Sequence, residues 1–138
     1  MNGKEIYNLW IEAWNNDIDL LDEIADDSCT VHQSRIDEQD SEILKGPSAL
    51  KEMINTSRYY FREYKMKLVI GPISEDNYIS ARWNFPGIYN GNMEGAKAKE
   101  GTKISFDGTD IFYLENEKIK DYWVSSNEIS FMKQLKAL

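Results

Sequence analysis

Residues 104–114 read ISFDGTDIFYL, and this segment is the most informative about the fold class. Apolar side chains recur at every second position, which is typical of a β-strand with one buried face. The same alternation predicts strands at 65–73, 77–89, 102–114 and 118–124, with tight turns at 75–77 and 115–117. The second half of the chain is therefore predicted to form an antiparallel meander. Within the quoted segment, the buried face is predicted to carry Ile104, Phe106, Gly108, Asp110, Phe112 and Leu114.

Helical spacing dominates the first half of the chain. Apolar residues recur about every 3.6 positions over 6–14, in a short segment at 20–24, and from Gly46-Pro47 to Tyr64. Residues 29–33 predict a strand and the polar stretch 34–45 predicts a solvated loop. The sequence SSNE at 125–128 predicts a capping box that starts a last helix. Helices followed by antiparallel strands predict an α+β fold, and no linker divides residues 1–138, which indicates one domain.

The charge balance and the scarcity of cysteine and histidine exclude several function classes. The 138 residues include 24 acidic and 16 basic side chains, for a net charge of −8, which argues against binding of nucleic acid. One cysteine, Cys29, and one histidine, His32, exclude an internal disulfide and disfavour a zinc site, so no bound metal is expected. Cys29 is predicted to be a buried structural thiol. No apolar stretch resembles a signal peptide or a membrane span, which predicts a cytoplasmic protein without membrane contact.

Asp110 is the first candidate catalytic residue, because it is a lone carboxylate on an otherwise apolar strand face. Burial without a partner raises the pKa of an aspartate, and such a carboxylate can act as a general acid or base. The alternative is a structural role, in which a backbone N–H, Arg82 or a tyrosine hydroxyl satisfies the buried group.

His32 is the second candidate. Its side chain has an unperturbed pKa of about 6.5, which suits proton transfer. If His32 and Asp110 project into one cavity, they could form an acid–base or orienting pair. The alternative for a lone histidine is a structural or merely exposed position.

Aromatic residues are abundant, with four Trp, eight Tyr and five Phe. They could line an apolar cavity for a small molecule, or they could simply fill a core. Four of the eight glycines lie in the segment 87–101, which predicts a long hairpin connection that could close over a pocket. The aromatic candidates for ligand contact are Trp14, Tyr60, Phe61, Trp83, Phe85, Phe112 and Tyr122.

Six short motifs follow one another along the chain: Trp14-Asn15-Asn16-Asp17 with Leu20-Leu21, Val31-His32, Gly46-Pro47, Ala81-Arg82-Trp83, Gly108-Thr109-Asp110-Ile111-Phe112, and Lys118-Ile119 with Tyr122-Trp123. In this order they resemble the SnoaL-like polyketide cyclase family of the nuclear transport factor 2-like superfamily. The resemblance implies a cone-shaped α+β barrel, in which a curved, mostly antiparallel sheet wraps around N-terminal helices and encloses an apolar pocket. It also implies a homodimer or higher assembly through the sheet, and chemistry without a cofactor.

One position departs from the family pattern. The family's cyclases close a ring by an intramolecular aldol reaction, with an aspartate just beyond the aromatic pair as acid and base. That position is Val124 here, while Asp110 falls on a second pocket position, which is a histidine in some cyclases. A valine cannot transfer a proton, so Val124 is expected to contact the ligand only.

Three functions therefore stay open. In the first, Asp110, with or without His32, catalyses a cofactor-free cyclisation, isomerisation or hydration of a polyketide- or steroid-like molecule. In the second, the pocket binds an apolar small molecule without changing it. In the third, the domain is a structural or interaction module whose interior is filled by its own tryptophans.

Overall fold

A six-stranded sheet packs against helices from the first half of the chain. The computed structural model describes residues 1–32 and 45–138, so most of the predicted solvated loop lies outside the described residues. The helices are α1 (Gly3–Asn15), a 3-10 turn (Ile18–Leu20), α2 (Leu21–Ile24), α3 (Gly46–Arg58) and α4 (Glu128–Gln134). The strands are β1 (Ala25–His32), β2 (Phe61–Tyr64), β3 (Lys67–Glu75), β4 (Tyr78–Tyr89), β5 (Lys103–Glu115) and β6 (Lys118–Ser126).

The strand order is β1-β6-β5-β4-β2, and β3 also pairs with β4. Only β1 and β6 run parallel, while the other described pairs are antiparallel. The predicted α+β class, with a mostly antiparallel sheet around N-terminal helices, is confirmed. In the register of the sheet, Asp110 on β5 lies between Ala81 on β4 and Val124 on β6.

Two predicted boundaries are wrong. The helix expected to continue to Tyr64 ends at Arg58, and the next residues form β2 instead. Phe61 pairs with Tyr89 on β4, and the centroid of its ring lies 5.1 Å from that of Phe85. Burial of Phe61 in the sheet therefore overrides the helical spacing of its sequence. The predicted capping box at 125–128 is also not formed, because β6 continues through Ser126. The cap of α4 is Asn127, whose side chain accepts a hydrogen bond from the Ser130 backbone N–H at 3.1 Å.

Helix α1 supplies the apolar layer that covers the inner face of the sheet. Its N-cap is Asn2, whose side chain accepts from the Glu5 N–H at 2.9 Å. At its other end, the Asn15 side chain donates to the Met66 carbonyl at 2.9 Å and accepts from the Met66 N–H at 2.8 Å. These bonds fix the helix to the start of β3. The buried stripe of α1 comprises Ile6, Tyr7, Trp10, Ala13 and Trp14.

The inner face of β5 has the alternation expected from its sequence. Ile104, Gly108, Asp110, Phe112 and Leu114 are buried, and Phe106 is partly buried. Gly108 lies opposite Trp83 on β4, and a Cβ added to this glycine would stand 2.1 Å from Trp83 Cζ2. The absence of a side chain at this position therefore allows the indole to lie against the neighbouring strand.

The connection between β4 and β5 is joined to the C-terminal residues by backbone hydrogen bonds. Ala98 N–H donates to the Leu135 carbonyl at 3.0 Å, and Lys97 N–H donates to the Lys136 carbonyl at 3.2 Å. The ring of Phe131 on α4 packs against the ring of Phe106, with 5.0 Å between the ring centroids. Helix α4 and this connection thus lie together over the aromatic part of β5. Closure of the connection over a ligand stays a prediction.

The outer face of the sheet is partly apolar. Tyr78, Ile111 and Trp123 are exposed there, and assembly of a homodimer through the sheet stays a prediction. Cys29 is buried, as expected, and burial raises the pKa of its thiol to about 12, so it stays protonated. No helix within the ranges 1–32 and 45–138 is long and apolar enough to cross a membrane.

Candidate functional site

Asp110 is the centre of the site and is the only charged residue in the buried core of the described chain, with 1% of its surface exposed. Its Oδ1 accepts a hydrogen bond from the Tyr122 hydroxyl at 2.7 Å, and its Oδ2 accepts one from the Tyr7 hydroxyl at 2.8 Å. Strand β6 supplies Tyr122 and helix α1 supplies Tyr7, so the carboxylate is held from two sides. Of the partners considered from the sequence, tyrosine hydroxyls satisfy Asp110. Arg82 bonds Thr109 instead, at 3.2 Å.

Burial raises the pKa of Asp110 to about 6, because the charged form loses its hydration. The hydrogen bonds from Tyr122 and Tyr7 act in the opposite direction, since they stabilise the carboxylate, but desolvation has the larger effect. Burial and the neighbouring Asp110 charge raise the pKa of both tyrosines far above their usual range. The tyrosines therefore remain donors at neutral pH, and the carboxyl is the group that gains or loses a proton.

This pKa predicts a pH dependence of stability. A folded-state pKa of about 6, against about 3.9 in an unfolded chain, means that ionised Asp110 disfavours the folded state. Protonated Asp110 therefore stabilises the folded state relative to ionised Asp110. This stabilisation is fully present below about pH 4 and is lost as the pH rises through about 6. The free energy of unfolding of the wild type, relative to Asp110→Asn, should fall by about 3 kcal/mol over this range. Urea unfolding at a series of pH values measures this difference, and a constant difference would contradict the raised pKa.

Three buried indole N–H groups have no hydrogen-bond acceptor in the described part of the chain, those of Trp10, Trp14 and Trp83. A buried donor without a partner costs about 1–3 kcal/mol. The N–H groups of Trp10 and Trp83 lie close enough to Asp110 to lower its pKa, but neither makes a hydrogen bond of normal geometry with it. The indole N–H groups of Trp10 and Trp83 therefore stabilise the carboxylate, with a geometry poorer than that of the two tyrosine hydroxyls.

Aromatic rings form the walls around this carboxylate. The centroid of the Trp10 ring lies 4.9 Å from that of Tyr122 and 5.1 Å from that of Phe112. A second group of rings surrounds Phe85. The centroid of the Phe85 ring lies 5.1 Å from that of Phe61 and 5.8 Å from that of Trp14. The structure therefore brings most of the sequence-predicted ligand residues into one interior layer, namely Trp14, Phe61, Trp83, Phe85, Phe112 and Tyr122.

Two of the predicted ligand residues lie elsewhere in the structure. Tyr60 lines an open groove beside α3, together with Lys51 and Asn55, and is only partly buried. Val124 pairs directly with Asp110 across the β5–β6 ladder and is also partly exposed. Its apolar side chain therefore lies at the more accessible edge of the site, next to the buried carboxylate.

His32 and Asp110 are not brought together. The His32 ring stacks on the Trp123 ring, with 4.9 Å between the ring centroids. The Nε2 atom of His32 lies 2.9 Å from Asp121 Oδ1. Trp123 precedes Val124, which is the partner of Asp110, and successive side chains of a strand point to opposite faces. His32 consequently lies on the outer face, and the acid–base pair considered from the sequence is not formed.

Tyr7 is the site residue that sequence reasoning missed. It belongs to the apolar stripe of α1, where a tyrosine contributes a polar tip to a buried surface. Its partner Asp110 is 103 positions away, so the periodicity of α1 alone could not reveal the contact. Within residues 1–32 and 45–138, no group of three or more His, Cys, Asp or Glu side chains could hold a metal ion.

Solved structures share this architecture. TsrD from Streptomyces laurentii matches with a TM-score of 0.79 and 20% identity, covering 97% of this chain and 94% of that protein. A SnoaL-like polyketide cyclase from Agrobacterium tumefaciens matches with a TM-score of 0.74 and 17% identity, covering 98% of this chain and 99% of that one. A protein from Acidithiobacillus ferrooxidans matches with a TM-score of 0.81 and 19% identity, covering 96% and 92%. At these identities the likeness shows a common fold.

Family membership rests on a separate comparison. No curated protein matches the chain at a significant level. The family model described as SnoaL-like polyketide cyclase matches residues 4–135, which is nearly the whole chain. With the helices, sheet and buried interior described above, this match shows that the chain belongs to the SnoaL-like polyketide cyclase family.

Proposed function

We propose that the protein binds a polycyclic, polyketide- or steroid-like molecule beside Asp110 and catalyses a cofactor-free cyclisation or isomerisation of it. In this proposal Asp110 is the general acid and base. One observation carries the proposal: the single buried charge of the described core is a carboxylate with a pKa of about 6, set among aromatic walls. A buried titratable group of this kind marks a candidate functional site.

The chemistry follows from the state of the carboxylate. With a pKa of about 6, Asp110 is mostly ionised at neutral pH yet binds a proton more readily than an exposed aspartate does. Such a base can remove a proton next to a carbonyl group and return it elsewhere in the same molecule. Tyr7 and Tyr122 hold the two oxygens in place, which fixes the orientation of the base.

In this proposal a ligand reaches the buried Asp110 from the side of β6, where the neighbours of Asp110 are partly exposed. On β6, Val124 and Ser126 are partly exposed, and the residues between and beside them are exposed. Phe106 on β5 is partly exposed as well. Val124 pairs with Asp110, and Ser126 pairs with Gly108. A ligand that enters beside β6 would therefore meet an apolar contact first and the carboxylate behind it.

Binding without catalysis is the second candidate. It is favoured by the fact that both oxygens of Asp110 already accept a hydrogen bond from a tyrosine. A substrate proton could bind only to the lone pairs that these two hydrogen bonds leave free. In this case Asp110 would organise the interior, and the aromatic walls would provide the binding energy.

An exchange assay separates the two candidates. Thermal shifts across polycyclic ketones and steroids identify a ligand, and NMR then follows the exchange of its α-protons into D2O. Catalysis predicts that the wild type accelerates this exchange and that Asp110→Asn lowers the acceleration by about 10²–10⁴-fold. Asp107→Asn is the matched control, since Asp107 is a carboxylate of the same strand that lies half exposed beside Arg82.

Each outcome of this assay has a defined meaning. A ligand that stabilises the protein without accelerated exchange would contradict catalysis and support binding alone. No thermal shift with any compound, and no ligand retained in native mass spectrometry of protein from its own host, would contradict both functions. That result would favour an interior filled by its own side chains.

A further inference from the structure

We infer that Gly108 is a positioning residue of the site: the Trp83 indole occupies the space of the missing side chain, and this brings its N–H against the Asp110 carboxylate. Gly108 offers no polar group of its own and acts only through Trp83. The inference deepens the proposed function, and its consequence for catalysis rests on that function.

The pairing of β4 with β5 places the three residues together. Trp83 pairs with Gly108, and Ala81 pairs with Asp110. All four residues are buried on the inner face of the sheet. Trp83 and Asp110 are therefore diagonal neighbours on adjacent strands, and an aromatic side chain can span the distance between such neighbours. The register alone brings the indole within reach of the carboxylate.

The missing side chain of Gly108 determines which edge of the indole reaches β5. A Cβ at residue 108 would stand 2.1 Å from Cζ2 of Trp83 and 2.6 Å from Cε2. Cε2 is the ring atom bonded to Nε1, so the edge that carries the N–H lies against Gly108, two positions from Asp110. Phe106, two positions before Gly108, packs edge-on against the Trp83 ring, with 5.7 Å between the ring centroids. The indole is thus held between Phe106 and Asp110.

The indole N–H acts on the carboxylate although its hydrogen-bond geometry is poor. Nε1 of Trp83 is buried and makes no hydrogen bond of normal geometry among the residues that the structure describes. It nevertheless lowers the pKa of Asp110, in the same direction as the two tyrosine hydroxyls do. The strength of a hydrogen bond depends steeply on its geometry. A small displacement of the ring would therefore remove this contribution.

Any side chain at residue 108 must displace the Trp83 ring or separate the two strands. Protein interiors are close-packed, so a methyl group 2.1 Å from a ring atom cannot be accommodated in place. Once the indole N–H moves away, the Asp110 carboxyl binds its proton more tightly. Under the proposed function, a smaller fraction of the base is then ionised at neutral pH, and the reaction needs a higher pH.

The test measures the pKa of Asp110 in Gly108→Ala by NMR titration of the ¹³C-labelled side-chain carboxyl. The pKa is expected to rise by about 0.5–1, which is less than the loss of a well-formed hydrogen bond to a charged group would give. Trp83→Phe should give a similar rise. Gly108→Ala in the Trp83→Phe background should add almost nothing, because both changes remove the same contact. An unchanged or lowered pKa in Gly108→Ala, or a full further rise in the double variant, would overturn the inference.

Gly87→Ala is the matched control. Gly87 is also a glycine of the sheet that lies against an aromatic ring, since a Cβ there would stand 2.5 Å from Cδ1 of Phe61. The substitution therefore introduces the same kind of steric conflict, but the ring that it displaces carries no hydrogen-bond donor. Gly87→Ala should lower the stability and leave the pKa of Asp110 unchanged. An equal rise of the pKa in both variants would show that crowding of the sheet, rather than the indole, is responsible.

A second measurement does not depend on whether Gly108→Ala folds. In the ¹⁵N-labelled wild type, the indole N–H signal of Trp83 should move with pH and have the same midpoint as the Asp110 carboxyl. The N–H of Trp14 is buried and unpartnered as well, but it is not among the groups that shift the pKa of Asp110, so its signal should stay in place. A Trp83 signal that does not follow the titration would contradict the inference.

The outcomes separate the inference from the proposed function. In the exchange assay, the pH profile of Gly108→Ala should move to higher pH by the same amount as the pKa of Asp110, while that of Gly87→Ala should not move. A pKa that does not respond to Gly108→Ala would overturn the inference and leave the proposed function standing. A wild type that binds no ligand and exchanges no proton would contradict the proposed function, whereas the effect of Gly108 on the pKa would remain measurable.

Discussion

Removal of both tyrosine hydroxyls, in the double variant Tyr7→Phe/Tyr122→Phe, is expected to raise the pKa of Asp110 from about 6 to about 8 or above. Each hydroxyl donates to one carboxylate oxygen, at 2.8 and 2.7 Å. A hydrogen bond to a charged group contributes about 1.5–3 kcal/mol, which corresponds to about one to two pKa units. Without these donors, the desolvation of the carboxyl is opposed only by the indoles. Titration of the ¹³C-labelled side-chain carboxyl by NMR measures the change.

The single variants and a control make this prediction specific. Tyr7→Phe and Tyr122→Phe alone should each give about half of the shift. Tyr113→Phe removes a hydroxyl from the opposite face of β5 and should leave the pKa of Asp110 where it is. An unchanged midpoint in the double variant would show that the tyrosines do not hold the ionised carboxyl.

The largest expected loss of stability follows from Trp10→Ala. Trp10 is 0% exposed and contacts Trp14, Phe112 and Tyr122, so its removal leaves a cavity between α1 and the sheet. Truncation of a buried tryptophan costs about 3–5 kcal/mol. The value is expected near the upper end, because the change also removes an indole N–H that stabilises the Asp110 carboxylate. The midpoint and slope of urea unfolding give the difference in free energy of unfolding.

Trp123→Ala is the matched control for this variant. Trp123 is 36% exposed and lies on the outer face against His32, so its truncation creates no internal cavity and should cost clearly less. Equal losses of stability in the two variants would contradict the packing of Trp10 in the interior between α1 and the sheet.

The features that could be predicted from the sequence are those that depend on local periodicity. The alternation in β5 identified the buried face on which Asp110 lies, and the stripe of α1 identified the helix that covers it. The end of α3 was predicted wrongly, since Phe61 fits a helical period but gains more from pairing with β4. Here a tertiary contact overrode the local pattern.

The composition of the site itself depends on contacts between distant residues. Tyr7 and Asp110 meet across 103 positions, and no local pattern encodes such a pair. The face on which His32 lies was equally hidden, because it is set by the parallel register between β1 and β6. That register places His32 opposite Trp123 on the outer face, away from Asp110.

Val124 gives the most specific lesson about function within the family. The resemblance described in the sequence analysis implies a carboxylate at this position, and the structure pairs the valine that stands there directly with Asp110. Under the proposed function, the proton transfer therefore belongs to one carboxylate held by Tyr7 and Tyr122, rather than to a group on β6.

The most direct test of Asp110 as the titrating group of the site is an NMR titration of its carboxyl, with and without a saturating ligand identified by thermal shift. The midpoint is expected near pH 6 in the free protein. It should move clearly when the ligand binds, because a ligand beside the carboxyl changes the surroundings of that group. A midpoint near the ordinary value of about 4, or a midpoint that a bound ligand does not move, would contradict this role of Asp110.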